Sequence, residues 1–340
     1  MIAPTMRAAR LHGPGDALRI ETVPVPAPGP GEILIRLEAC GVCHTDVHIR
    51  EAGHGSVGAP QPLILGHEGI GRVAVLGPEV AAFRIGELAG ISWLHSTCGT
   101  CDPCLSGRES FCQTQKAHGY DVHGGFADYV IVPETFAVRL AEGLDPVATA
   151  PLLCAGITAF GAVRQAGLRL GERCAIFGCG GLGLYAVQLA RRAGAEVVAI
   201  DVSPAKLDRA RALGAHHIIL ADEATGAALR ALGGMHACIN FAPTQRSWAA
   251  MIEGVRPLGR IIAAAMVGEP VPIRQDWLAT TGVTITGTSV GTRLEMAELL
   301  RLHAAEPLES DAAATTLGQL NEALDDLAAG RVAGRRVVRL

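Results

Sequence analysis

Between residues 174 and 213, apolar runs of strand length alternate with amphipathic runs of helix length, and a glycine loop sits at the first junction. Cys174-Ala175-Ile176-Phe177 reads as a strand, Leu182 to Ala193 as a helix, Glu196 to Ile200 as a strand and Pro204 to Leu213 as a helix. That order leaves few folds open. Each helix must carry the chain back along one face, so successive strands lie parallel in one sheet. The runs Ala237 to Asn240, Arg260 to Met266 and Val283 to Thr286 are expected to extend it. The chain then closes with a helical stretch, Leu317 to Ala329, followed by Gly330 and a strand-like Arg336 to Leu340. Ala312-Ala313-Ala314 reads as compositional bias.

The first third has a different rhythm. Ile33 to Glu38, Gly71 to Leu76 and Phe126 to Val132 are short apolar runs between Gly and Pro, which suits an antiparallel β region with irregular loops. At 340 residues the chain exceeds one ordinary core and suggests two domains. With 49% hydrophobic and 18% charged residues, it has the composition of a folded protein. Lys plus Arg number 29 against 33 Asp plus Glu, a net charge of -4 without like-charge blocks. This balance argues against nucleic acid or an anionic membrane as a partner. The start Met1 to Arg7 lacks a signal-peptide pattern, and glycines interrupt every uncharged run approaching the ~18 residues of a membrane helix. A cytoplasmic protein is expected, and its ten cysteines then read as metal ligands or reactive thiols rather than disulfides.

Four of those cysteines are crowded together. Cys98, Cys101, Cys104 and Cys112 give C-x2-C-x2-C-x7-C. Four thiolates satisfy a tetrahedral zinc ion and leave no position for substrate, so the site is structural. Gly99 and Pro103 favour the tight turns needed for the sulfurs to converge. An iron–sulfur centre is the alternative, although Gln113 rather than proline follows the last cysteine.

Further chemistry is scattered. Cys40 to His48 holds two thiols, two imidazoles, a hydroxyl and a carboxylate in nine residues. If the segment from Cys43 is helical, Cys43 shares a face with Asp46, and Thr45 with His48. His67 and Glu68 follow the apolar Pro62 to Leu65, and Cys154 lies in an apolar run. Taken alone, these residues fit caps, a structural histidine and a core cysteine equally well.

The loop Gly178-Cys179-Gly180-Gly181-Leu182-Gly183 matches G-x-G-x-x-G. In a chain with 42 glycines that match means little by itself. Here it follows a strand, opens a helix and is answered by Asp201 at the end of the next strand, the context of a dinucleotide site. The pyrophosphate would rest on the helix N-terminus. Asp201 would accept from both ribose hydroxyls and repel a 2′-phosphate, and Val202 and Ser203 supply no compensating cation. NAD is favoured over NADP.

In order along the chain stand A-C-G-V-C-H-T-D at 39–46, G-H-E-G at 66–69, the cysteine cluster at 98–112, C-A-G-I-T at 154–158 and G-C-G-G-L-G at 178–183. With these motifs the sequence resembles the zinc-containing medium-chain alcohol dehydrogenases, particularly the short-form bacterial ones. The resemblance implies an α/β chain with a GroES-like, mainly-β catalytic domain over 1–154, carrying the structural zinc lobe at about 93–113. A Rossmann domain with a doubly wound parallel sheet would cover 155–290, and 291–340 would return to the catalytic domain.

The same resemblance implies that Cys43, His67 and Cys154 ligate a catalytic zinc, with Glu68 as an alternate ligand and Asp46 accepting the free ring N–H of His67. Zinc would stabilise the alkoxide formed as the alcohol loses its proton, letting hydride pass reversibly to NAD. Thr45, a cofactor ribose hydroxyl and then His48 would carry the proton to solvent. Cofactor contacts are implied for Thr158, Lys206, Val267, Ser289, Val290 and Arg335, the last reaching the pyrophosphate, beside Gly178, Gly180, Gly181, Leu182, Gly183 and Asp201. Trp93 and Thr45 would line a pocket for primary or small secondary alcohols.

Two zinc ions and one NAD per subunit, and a homotetramer or, failing that, a dimer, complete the expectation. His95 and Ser92 stand where bacterial relatives often carry Tyr and Pro. A polyol dehydrogenase of the sorbitol type is the neighbouring alternative, but that branch typically has a carboxylate as third ligand and no cysteine at the Cys154 position. A non-catalytic zinc- and NAD-binding protein is the alternative of another class. Such members usually lose their metal ligands, and all seven are present here.

Overall fold

The strand Glu32–Val42 organises one half of the chain. Ile33, Ile35 and Leu37 on one face pack with Val73, Phe83, Ile91 and Val132, while Cys40 and Val42 on the other pack with Leu11, Ile64, Phe126 and Leu324. Having apolar cover on both faces explains why Ile33-Leu34-Ile35 does not alternate with polar residues. Each such Ile or Leu contributes roughly 1.5–3 kcal/mol by leaving water.

The computed structural model describes residues 2–53, 55–271 and 273–340. Its chain divides into two units, Met1–Cys154 with Thr292–Leu340, and Ala155–Gly291. In the first unit a sheet runs in the order Val138–Arg139, Leu88–Gly90, Gly69–Leu76, Glu32–Val42, Arg335–Arg339, Ala312–Thr316, with Tyr129–Pro133 also pairing Glu32–Val42. A smaller sheet joins Arg19–Pro24, Thr5–Leu11 and Leu63–Ile64, and a two-stranded ribbon joins Leu94–Ser96 to Lys116–Ala117. In the larger sheet Cys40 stands opposite Gly69, and Val337 opposite Gly41. These two registers bring the residues just before Gly69 and just before Val337 beside the end of the central strand.

The second unit is a six-stranded parallel sheet in the order His217–Leu220, Glu196–Asp201, Arg173–Phe177, Met235–Asn240, Val255–Ala263, Thr284–Gly287. The order reverses at Arg173–Phe177, whose C-terminal end is where ligands of such sheets bind. Cys174, Ala175, Ile176 and Phe177 are all buried, as a strand covered on both faces requires.

Three elements differ from their expected form. The strand expected over Arg260 to Met266 runs instead from Val255 to Ala263, through a turn in which Leu258 takes positive φ. The expected helix Leu317 to Ala329 divides into a 3-10 turn, Leu317–Gln319, and a helix, Leu320–Ala328. Ala312-Ala313-Ala314 is not mere bias, because Ala312–Thr316 forms an edge strand parallel to Arg335–Arg339. Its side chains stay half-buried or exposed, so no alternation marks it in the sequence. Among the described residues no single helix is long and apolar enough to cross a membrane.

Candidate catalytic centre, zinc lobe and cofactor loop

Cys43 follows the central strand directly. It is the N-cap of helix His44–Ala52 rather than a residue within it. Asp46, in the first turn, is fully buried and accepts from the Cys43 amide at 2.8 Å and the Gly66 amide at 3.1 Å. Its Oδ1 also stands 3.4 Å from His67 Nδ1. One carboxylate thus ties together the two segments that present Cys43 and His67. Gly41 N donates to Glu68 O at 3.1 Å, and a Cβ on Gly41 would collide with the Glu68 carboxylate, so glycine is required there. Cys154 caps the 3-10 turn Ala150–Leu153 and places its Sγ 3.9 Å from Cys43 Sγ.

Cys43, His67, Glu68 and Cys154 present ligand atoms that all lie within 4.8 Å of one another, and all four residues are buried. Among the described residues His67 Nε2 and Glu68 Oε2 lack a hydrogen-bond partner, while His67 Nδ1 has only its 3.4 Å approach to Asp46. Orphaned buried polar atoms cost about 1–3 kcal/mol each, a penalty that a cation at this point would remove. The donor chemistry fits zinc, because two thiolates and one imidazole form a catalytic set that keeps a position open.

The charges are tightly linked. The Cys43 thiol lies well below its ordinary pKa, chiefly because the Cys154 thiol bonds to it and then because of His67, against the effect of burial. Cys154 is correspondingly pushed well up, first by Cys43. Burial disfavours a charged His67, yet Asp46 and Cys43 together raise it well above its usual value. Burial raises Glu68 to about 7, opposed by Arg335. Protons on Cys154 and His67 must leave when a metal enters, so uptake releases protons and weakens as pH falls.

Arg335 belongs to this same unit. Its guanidinium is buried and bonded to Glu68, from 267 positions away in sequence. That bond engages one carboxylate oxygen and leaves two thiols and an imidazole as the less encumbered ligands. Nothing local in the sequence signals the pairing. Thr45 Oγ1 stands 3.7 Å from Cys43 Sγ, while the exposed His48 lies 3.9 Å from the Glu51 carboxylate, its ring 5.6 Å from that of His44. Trp93 meets the His67 ring edge-on at 5.3 Å and stacks on Tyr120 at 5.8 Å, a partner that sequence reasoning missed. His95 packs against His118 at 4.9 Å, and burial first, then His95, lowers His118 to about 3.

The sulfurs of Cys98, Cys101, Cys104 and Cys112 also lie within 4.8 Å of one another. Cys98 Sγ accepts from the amides of Thr100 at 3.5 Å and Cys101 at 3.3 Å, and these bonds lower its thiol to about 5. Gly99, at φ 70, makes the turn that aims both amides at the sulfur. Among the described residues no imidazole or carboxylate joins the set, as in a closed structural site.

In the other unit, Gly178 turns out of strand Arg173–Phe177 with φ 88, and Gly180 caps helix Gly181–Arg192. A Cβ on Gly183 would collide with the Gly178 carbonyl, whereas one on Gly180 would meet nothing within 4 Å among the described residues. The loop therefore needs glycine for packing at Gly183 and leaves open space beside Gly180 at the helix N-terminus, a cradle suited to a phosphate. Asp201, at the end of its strand, accepts from Cys179 N at 2.7 Å and Ser203 N at 2.9 Å, which aims the carboxylate beside the loop. Thr158 is buried in helix Ala155–Ala166 and Lys206 half-buried in helix Pro204–Ala212. Leu182 lies in the first turn of helix Gly181–Arg192, and Val267 and Ser289 are half-buried in loops. Val290 takes φ 43, a strained conformation for a β-branched residue.

A family model described as the alcohol dehydrogenase GroES-like domain matches residues 29–142, and one described as zinc-binding dehydrogenase matches residues 181–305. An alcohol dehydrogenase of Geobacillus stearothermophilus is 37% identical over 339 residues, covering 98% of this chain and 99% of its own. Among solved structures, an acetophenone reductase from Geotrichum candidum in complex with NAD superposes with a TM-score of 0.89 at 27% identity, covering 100% of this chain and 98% of that one. A cobalt- and zinc-bound alcohol dehydrogenase from Pyrobaculum aerophilum gives 0.89 at 27% identity, covering 99% of this chain and 100% of that one. With both domains matched and this likeness running the whole length, the chain belongs to the zinc-binding medium-chain alcohol dehydrogenases with a GroES-like domain.

Proposed function

We infer that the protein is an NAD-dependent zinc alcohol dehydrogenase acting reversibly on primary or small secondary alcohols. The observation that carries this reading is the buried set Cys43, His67 and Cys154, with the imidazole Nε2 unpartnered among the described residues and Trp93 packed against the ring. Cys43, His67 and Cys154 would hold a zinc ion that would supply Lewis acidity for the negative charge on the substrate oxygen, and the Gly178–Gly183 loop with Asp201 would hold NAD as the hydride acceptor.

The chain's own residues do the rest. Asp46 fixes the backbone at Cys43 and Gly66 so that thiol and imidazole converge. Trp93, stacked on Tyr120, keeps water from one side of His67 and favours slim substrates. Thr45, beside Cys43 Sγ, takes the alcohol proton, and His48, three residues on and exposed, delivers it to solvent. The four-thiol lobe holds a second, structural zinc. A cytoplasmic homotetramer belongs to the same reading, and sedimentation of the purified protein tests its assembly.

Turnover with a panel of primary, secondary, aromatic and polyol alcohols tests the function. Fastest NAD reduction with small primary or secondary alcohols is expected, and oxidation of polyols alone would overturn the substrate class. The cofactor is tested through Asp201. Its carboxylate repels a 2′-phosphate, so Asp201→Ala is expected to cut the preference for NAD over NADP by about 10- to 100-fold, a difference of roughly 1.4–2.8 kcal/mol. An unchanged ratio of kcat/KM for the two cofactors would remove Asp201 from that role.

A further inference from the structure

We propose that the four-thiol lobe is a clamp on the point where the chain returns from the cofactor-binding unit, acting through Glu109 and Arg293 as positioning residues. The proposal rests on the NAD-dependent reading for its functional consequence only.

Glu109 lies between Cys104 and Cys112 and opens the 3-10 turn Glu109–Phe111, whose last bond runs from Cys112 N to Glu109 O at 3.0 Å. The lobe is otherwise exposed, yet the Glu109 side chain is only 8% accessible. It points away from the sulfurs to the start of helix Arg293–Ala305, where its Oε1 accepts from Arg293 N at 2.9 Å and from Arg293 Nε at 3.3 Å. The guanidinium is fixed from two further sides. Arg293 Nη1 donates to Thr135 O at 3.1 Å, and Cζ sits 4.4 Å above the Phe136 ring. Thr292 and Glu295 form a reciprocal capping box over the same turn. The first turn is thus over-determined, with a carboxylate from another segment placed at the positive end of the helix.

What this turn holds is the crossover. Gly291 is the last residue of one unit and Thr292 the first of the returning segment. Immediately before them, Val290 is kept at φ 43, a conformation costing about 1–3 kcal/mol that persists only where its surroundings impose it. Ordering of the lobe by its metal fixes Glu109 relative to Cys112, Glu109 fixes Arg293, and Arg293 fixes the conformation of residues 289–292. The lobe therefore sets how well the Ser289–Gly291 segment is preformed for NAD, besides contributing stability.

The test is amide hydrogen exchange over residues 288–296 in the full-length, metal-loaded protein without NAD, paired with fluorescence titration of NADH. Glu109→Ala is expected to raise exchange in that segment by about tenfold and to weaken NADH binding by about 3- to 10-fold, with KM for NAD rising more than kcat falls. Glu109→Gln keeps an acceptor for Arg293 N and should lie between wild type and Glu109→Ala; it carries the comparison if the alanine variant fails to fold. Cys101→Ser should reproduce the exchange pattern. Wild-type protection of 288–296 in either Glu109 variant, or in folded Cys101→Ser, would overturn the clamp. A wild-type protein that binds no NADH would instead defeat the functional reading, while the exchange measurement still decides the clamp.

Discussion

Cys43→Ala is expected to lower kcat/KM by about 10⁴-fold or more while the protein stays folded. The rate follows from charge. Losing a Lewis acid worth at least ~5 kcal/mol to a developing negative charge costs roughly that factor. The fold should persist, because the side chain removed is small and the helix start is held through the Cys43 amide, which Asp46 still binds. Tm should still fall by several degrees, because buried ligand atoms left without the metal cost about 1–3 kcal/mol each. Zinc content should fall by one ion per subunit. His67→Ala should match it in turnover, since Asp46 keeps its bonds to the Cys43 and Gly66 amides when the imidazole is gone. Full turnover in a folded, zinc-depleted Cys43→Ala protein would sink the mechanism.

The contrast between the two metal sites shows what a sequence discloses. Cys98, Cys101, Cys104 and Cys112 fall in one loop, so their spacing alone implies convergence, and the four sulfurs do converge. The cofactor loop is equally local, its glycines, helix and Asp201 lying on consecutive elements. Cys43 and Cys154 are 111 positions apart and meet only because the strand Glu32–Val42 and the turn Ala150–Leu153 pack in one unit. Without the family motifs, each would pass for an ordinary buried cysteine.

The pairings that were not legible at all are longer still. Arg335 reaches Glu68 because its strand pairs antiparallel with Glu32–Val42, a register that no local pattern in Gly334-Arg335-Arg336 encodes. A pyrophosphate contact could be expected from motif position, but not that the same guanidinium is buried against a carboxylate of the metal cluster. Glu109 and Arg293, 184 positions apart, are of the same kind. The strand Ala312–Thr316 escaped for another reason. Edge position and small side chains remove the period-2 signal on which a strand is read.

The second large effect concerns stability. Cys101→Ser is expected to lower Tm by about 5–10 °C and to remove one zinc per subunit, and the reason lies in how little else holds the lobe. From Cys98 to Cys112 only Glu109, Ser110 and Cys112 are buried, while Leu105 and Phe111 are 72% and 43% exposed. Burial on that scale cannot offset the ordering entropy of fifteen residues, which runs to about 1–2 kcal/mol each, so bonds from the four sulfurs to a metal are expected to supply the difference. A serine hydroxyl is a poor substitute for a thiolate in that set. Limited proteolysis should then cut within 98–112 before any other segment, and chelator-treated wild type should show the same cut. Because Cys112 and Glu109 share one turn, the disorder should not stop at the lobe but reach Arg293 across the Glu109 bond. A Cys101→Ser protein that has lost that zinc yet keeps the wild-type Tm would show that the lobe folds without its metal.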